Sequence, residues 1–257
     1  MCSSDLLAGA SDGQPLLGAT PGGRTVTDAA LNEFREKLCA EQNVIIVIGP
    51  ELSAAAIGQL VEFGATLRGQ TRYIALGEYS NSRGAADMGI APGQLPGYGP
   101  VSDAAAREPF ESAWGGPLPA EPGLALDAML GAAADGNIES LYIVGANPLA
   151  GSAAKDLAGK AFIVVQDLFL HETAQAADVV LPAASAYECN GTVTNTCGEV
   201  QTRRKALELP GARPDVDIIA ELARHLGATS LPTRPDDVLR EITRLVPGYG
   251  ISDRKST

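Results

Sequence analysis

Short apolar runs closed by Gly, Pro, Asn or Asp set the rhythm of this chain. Residues 44–48 (VIIVI), 73–76 (YIAL), 141–144 (LYIV), 162–165 (FIVV) and 179–181 (VVL) each have the length of a strand. Between them the apolar positions recur three or four apart. Thr27 stands where it can cap a helix carrying Leu31, Phe34 and Leu38 on one inward stripe, and Ser53 where it can cap one with Ile57, Leu60, Val61 and Leu67 on a shared face. Strands that are apolar throughout, alternating with helices, predict an α/β fold: doubly wound, mostly parallel sheets with helices on both faces and right-handed crossovers.

The pattern also divides the chain. Residues 1–24 are rich in Gly, Ser and Pro without a sustained period, the composition of a flexible lead-in. Residues 25–190 carry the α/β rhythm, interrupted at 78–123 by closely spaced Gly and Pro. That stretch reads as a long loop, an active-site lid or an interface. The rhythm resumes with a helix over 124–134, a short helix around 152–157 and a helix beginning near Glu172. Over 191–257 the texture changes: threonines alternate with apolar or small residues from Gly191 to Gln201, predicting a polar hairpin or extended arm, and amphipathic helices follow over 215–226 and 235–245 before a charged tail.

At 257 residues and 45% hydrophobic content the chain can bury a substantial core. Its net charge of −12 opposes nucleic acid and anionic membrane surfaces as partners. No window approaches the roughly 20 apolar residues of a membrane span, and residues 1–16 lack the basic and apolar regions of a secretory signal, so a cytosolic protein is expected. The four cysteines, Cys2, Cys39, Cys189 and Cys197, form no C-x-x-C pair. With two histidines in the chain, no metal site and no iron–sulfur centre is expected in it.

The chemistry-bearing candidates lie at strand ends. In an open parallel sheet the ligand crevice lies beyond the carboxyl ends of the strands, which points Gly145, Asn147 and Asp167 into it. Gly145 permits close backbone approach, and Asp167 follows at about the 20-residue offset at which dinucleotide folds place an acid against a ribose or base. From spacing alone, ending strands and capping helices is the simpler role for all three. There is no G-x-G-x-x-G and no G-K-S/T. The G-x-S-x-G letters at 9–13 lack the strand-turn-helix setting of a nucleophile elbow. His171 and Glu172 suit a helix start better than an acid-base pair, and His225 suits a helix surface. No catalytic set is assigned. Cys189 and Cys197, facing each other across the hairpin, are expected as free thiols. The basic run Arg203-Arg204-Lys205 reads as a solvated face before a contact with an acidic partner or an anionic ligand.

Three segments carry more than composition does: SLYIVGANPL (140–149), FIVVQDLFLHETAQAADVVLP (162–182) and ECNGTVTNTCGEVQ (188–201). Together they resemble the late part of the molybdopterin oxidoreductase superfamily. NSRGAADMGIAPGQLPG (81–97), Trp114-Gly115 and the PGL at 122–124 resemble one branch of it, the large iron–sulfur (G-type) subunits of bacterial NADH-quinone oxidoreductase, respiratory complex I. The resemblance implies a scaffold role in NADH-to-quinone electron transfer with no redox centre in this chain. It further implies iron–sulfur clusters in a missing N-terminal part, other peripheral-arm subunits as partners, and a position on the inner face of the plasma membrane through that complex. In catalytic relatives such as formate dehydrogenases, the positions of the Asn147 turn and Asp167 hold the guanine end of molybdopterin guanine dinucleotide. The cysteine clusters and the metal-ligating Cys, selenocysteine or Ser of that superfamily are not recognisable here. Cys189 and Cys197 stand where many relatives carry charged residues.

Overall fold

A computed structural model describes residues 27–49, 52–150, 157, 159–228 and 231–250. The chain separates into two compact bodies, one ending at Tyr79 and one beginning at Ser80. The expected lead-in, the 9–13 motif, most of the short helix around 152–157 and the charged tail lie outside the described residues.

The first body is a β-α-β unit preceded by a helix: α1 (Asp28–Ala40), β1 (Asn43–Ile48), α2 (Ala54–Thr66) and β2 (Gln70–Ala75). The anticipated caps are made. Thr27 Oγ1 accepts the Ala30 N–H at 3.3 Å, and Ser53 Oγ accepts that of Ala56 at 3.2 Å, each satisfying an orphan donor of a first helical turn. β1 and β2 pair in parallel, with Ile46 opposite Tyr73. Val44, Phe63 and Leu67 form the core, with Leu38, Cys39 and Ile46 packed on it. Because strand side chains alternate in direction, Ile45, Val47 and Ile74 point the other way and are exposed. Phe34 and Val61, expected to face inward, are also exposed. Gly64 explains how closely α2 lies on β2: a Cβ there would overlap the Tyr73 hydroxyl, which donates to the Val61 carbonyl at 3.2 Å.

The second body is built on a three-stranded parallel sheet in the order β3 (Ser140–Val144), β4 (Phe162–Asp167), β5 (Val179–Pro182). Leu141, Ile163 and Val165 face a core completed by Leu149, Leu157 and Ala174, and by Ala133 of α5 (Leu126–Ala134). On the opposite face Gln166, fully buried, donates through Nε2 to Asp215 Oδ1 at 2.5 Å. Asp215 opens α7 (Asp215–His225), and α6 (Glu172–Gln175) is a single turn between β4 and β5. Helices therefore stand on both sides of this sheet. The polar segment is a true hairpin, β6 (Gly191–Thr194) antiparallel to β7 (Val200–Arg203). Its turn is tied by Asn195, whose Oδ1 accepts the Glu199 N–H at 2.9 Å.

The long Gly/Pro stretch at 78–123 is not one loop. It holds α3 (Ser82–Asp87) and α4 (Ala104–Trp114). Pro109 obscures the second helix in the sequence, because proline argues against a helix interior, yet Asp103 caps it by accepting the Ala105 N–H at 2.9 Å. Phe110 of α4 is buried with Leu95 and Val246, and Trp114 Nε1 donates to Glu241 Oε1 at 2.9 Å. Glu241 belongs to α8 (Pro235–Leu245), so this stretch packs on the C-terminal helix. Leu226, expected on the core face of α7, lies just past its end and is exposed.

Candidate functional site at the ends of β3 and β4

β3 leaves the sheet at Gly145, whose N–H still donates to the Gln166 carbonyl at 3.0 Å. Its φ of +61° lies in the left-handed region that favours glycine. Among the described residues no atom stands within 4 Å of where a Cβ would be, so conformation rather than close approach to them explains the glycine.

Asn147 is the hinge of the site. Its Oδ1 accepts both the Thr173 N–H at 3.1 Å and the Thr173 hydroxyl at 2.7 Å. Its Nδ2 donates to Glu172 Oε2 at 2.7 Å. That bond, then the Glu172 backbone N–H, holds the Glu172 carboxyl below the usual range. Thr173 Oγ1 in turn accepts the Leu149 N–H at 3.0 Å, in a position where Thr173 and Leu149 are both fully buried.

Asp167 ends β4. Its Oδ1 accepts the Phe169 N–H at 3.0 Å, a local turn of the kind aspartate favours. Its Oδ2 lies 3.2 Å from His171 Nε2, although the orientation makes no hydrogen bond and leaves Nε2 a buried, unsatisfied atom. His171 Nδ1 accepts the Ala174 N–H at 3.2 Å and so caps α6, which is the helix-start role read from the sequence. His225 is exposed beside Arg224, and Cys189 and Cys197 are free thiols.

The structure thus brings Gly145, Asn147 and Asp167 to neighbouring strand ends, beside the start of α6. Two features were not legible beforehand. Leu168, Phe169 and Leu170 form an exposed apolar rim directly after Asp167; the LFL run was its only signal. Gln166 links the Tyr142 hydroxyl, which donates to its Oε1, with Asp215 forty-nine residues away, a pairing no local pattern announces.

Asn147 Oδ1 accepts two protein hydrogen bonds, its Nδ2 donates one and Asp167 Oδ1 accepts one; the second Nδ2 hydrogen and Asp167 Oδ2, which makes no hydrogen bond to His171, are the atoms left to a guanine base. Among the described residues no three His, Cys, Asp or Glu side chains gather as metal ligands, and no helix is long and apolar enough to cross a membrane. A cleft of about 440 Å³ lies elsewhere, lined by Arg213, Asp217, Glu221 and Arg224. Its charges are largely internally paired, Arg213 lying 2.6 Å from Glu221.

A sequence profile for molybdopterin oxidoreductases matches residues 19–225. The chain is 38% identical to a G-type NADH-quinone oxidoreductase subunit of Rhizobium meliloti over 75% of its length and 23% of that protein's. It is 41% identical to the putative formate dehydrogenase YrhE of Bacillus subtilis over 77% of its length and 21% of the relative's. With the alpha subunit of the NADPH-Fe(3+) oxidoreductase of Geobacter sulfurreducens it shares 34% identity over 87% of its length and 28% of the relative's. The chain therefore spans about a quarter of the length of the curated relatives it matches. A parallel α/β architecture with helices, and a profile match over most of the sequence, lead to one conclusion: the chain belongs to the molybdopterin oxidoreductase family.

Proposed function

We propose that this chain is a scaffold portion of a protein like the large G-type subunit of NADH-quinone oxidoreductase, supporting electron transfer from NADH to quinone without a redox centre of its own. The observation that carries this reading is that Asn147 Oδ1 and Nδ2 and Asp167 Oδ1 are already bonded to protein partners, so these groups hold the strand-end loops together. On this reading the iron–sulfur clusters belong to another part of the longer polypeptide. The partners are the other peripheral-arm subunits of complex I, and the assembly lies on the inner face of the plasma membrane.

Calorimetric titration of the full chain with GDP tests the scaffold reading. No heat of binding at millimolar nucleotide is expected, and saturable binding that is lost in Asp167→Ala would overturn it. Affinity isolation of the chain with the other peripheral-arm subunits tests the assembly; recovery with a formate-oxidising complex instead would reject it.

One observation favours a second reading, the nucleotide-binding part of a formate-dehydrogenase-like enzyme carrying molybdopterin guanine dinucleotide. Gly145 leaves open space where a side chain would stand, at the strand end where an open parallel sheet receives ligands. GDP binding that survives Asn147→Ala but fails in Gly145→Val would support this alternative.

A further inference from the structure

His171 holds the start of α6 through the very atom that a second proton would occupy. Its Nδ1 accepts the Ala174 N–H at 3.2 Å, and an imidazole nitrogen that accepts carries no hydrogen, so the ring is neutral with its one proton on Nε2. Protonation places a hydrogen on Nδ1 as well and turns it from acceptor into donor. Cap and imidazolium therefore exclude each other.

The capped arrangement is also incompletely satisfied. Nε2 is buried without a hydrogen-bond partner, although Asp167 Oδ2, at the end of β4, stands 3.2 Å away. A buried donor left unpaired weighs against the state that buries it, and release of the ring returns it to water. Two carboxylates bear on the ring: Asp167, and Glu172, the first residue of α6, whose charge interacts with it. Both favour an imidazolium over a neutral ring once Nδ1 is freed. What opposes release is Ala174, 2% exposed, whose N–H loses its acceptor. Directly before it, Thr173 holds Asn147 through its N–H and its hydroxyl, so the cap supports the junction between the two strand ends.

We propose that His171 is a proton-operated latch on the crevice at the ends of β3 and β4. Neutral, it caps α6 through Nδ1; protonated, it lets go of Ala174 and loosens the grip of Thr173 on Asn147. The latch works with or without a ligand in the crevice, so this inference does not depend on the scaffold reading.

The test is amide hydrogen exchange of the full chain by ¹H–¹⁵N spectroscopy between about pH 8 and 5, each rate taken relative to that of an unstructured peptide at the same pH. A freed imidazole takes its second proton below about pH 6.5. Protection of the Ala174 and Thr173 amides should fall there by up to about tenfold per pH unit, one proton entering with each opening, while the amides of β6 and β7 stay level. His171→Asn, which caps a helix but does not titrate in this range, should remove the fall. The ring nitrogens should show the Nε2–H form at about pH 8. A level Ala174 amide in the parent, a fall shared by β6 and β7, an equal fall in His171→Asn, or a proton on Nδ1 in the alkaline form would each overturn the proposal. Should His171→Asn fail to fold, the Ala174 slope against that of the hairpin and the ring ¹⁵N shifts of the parent still decide it.

Discussion

The Thr173 hydroxyl donates to Asn147 Oδ1 at 2.7 Å and accepts the Leu149 N–H at 3.0 Å, so one fully buried threonine joins the exit of β3 to the start of α6. This junction sets the shape of the strand-end crevice. Removing it leaves buried polar groups without partners, and the cost of such a group exceeds the net gain of an average hydrogen bond.

Thr173→Val keeps the shape and deletes the hydroxyl, orphaning the Leu149 N–H. A loss of about 1–3 kcal/mol is expected in urea unfolding. Asn147→Ala should cost a similar amount, and the double variant less than the sum, because both act on one network. Full additivity would show that the two residues do not form a unit.

Gly145→Ala isolates backbone strain, since the new methyl meets no neighbour while φ is +61°. The expected loss is about 1–2 kcal/mol. Gly145→Asn should lose less, because asparagine tolerates this region. Equal stability of Gly145→Ala and the parent, measured by thermal unfolding, would contradict the φ assigned to the turn.

Glu188 contributes to the pH dependence of stability. It is buried; hydrogen bonding from Ser185, whose N–H reaches Oε2 at 2.9 Å, acts first, followed by the Leu209 N–H at Oε1 and the charge of Lys205. These hold its carboxyl below the ordinary 4.5 against the opposing effect of burial. A depressed carboxylate stabilises fully above its unfolded value, and the contribution is lost as pH falls through the folded one. The melting temperature of the parent should therefore drop more steeply than that of Glu188→Gln on acidifying from about pH 6 to 3. Parallel curves would remove Glu188 from this role.

The hairpin thiols should differ in reactivity. Burial pushes the Cys189 thiol up, and its Sγ–H donates to the Ser185 carbonyl at 3.1 Å, whereas Cys197 is exposed on the turn. Because the thiolate is the nucleophile, brief iodoacetamide treatment should label Cys197 well before Cys189, as read by peptide mass spectrometry. Faster labelling of Cys189 in the folded chain would overturn this placement.

Much of the architecture was readable locally. The caps at Thr27 and Ser53, the strand runs and the polar hairpin each act over a few residues, so short windows carry their signal. The helix of residues 104–114 was hidden because Pro109 speaks against a helix at short range. Its packing against Val246 and Glu241 comes from more than a hundred residues away. Phe34 and Val61 carried an inward pattern, but periodicity states only that a face is apolar, not that something covers it.

The strand-end residues show the same limit in finer detail. Their order placed Gly145, Asn147 and Asp167 at the crevice, because strands of a parallel sheet all end on one side. Whether their polar atoms face a ligand or the protein depended on Thr173, Glu172 and His171, which a one-dimensional pattern cannot bring to bonding distance. From its sequence alone this protein had its family, through the resemblance of three segments, and its β-α rhythm and hairpin, both consequences of local propensity and spacing. Tertiary structure alone decided which side chains were already satisfied and left Arg203 Nε without an acceptor, because hydrogen-bond partnership is settled by three-dimensional proximity.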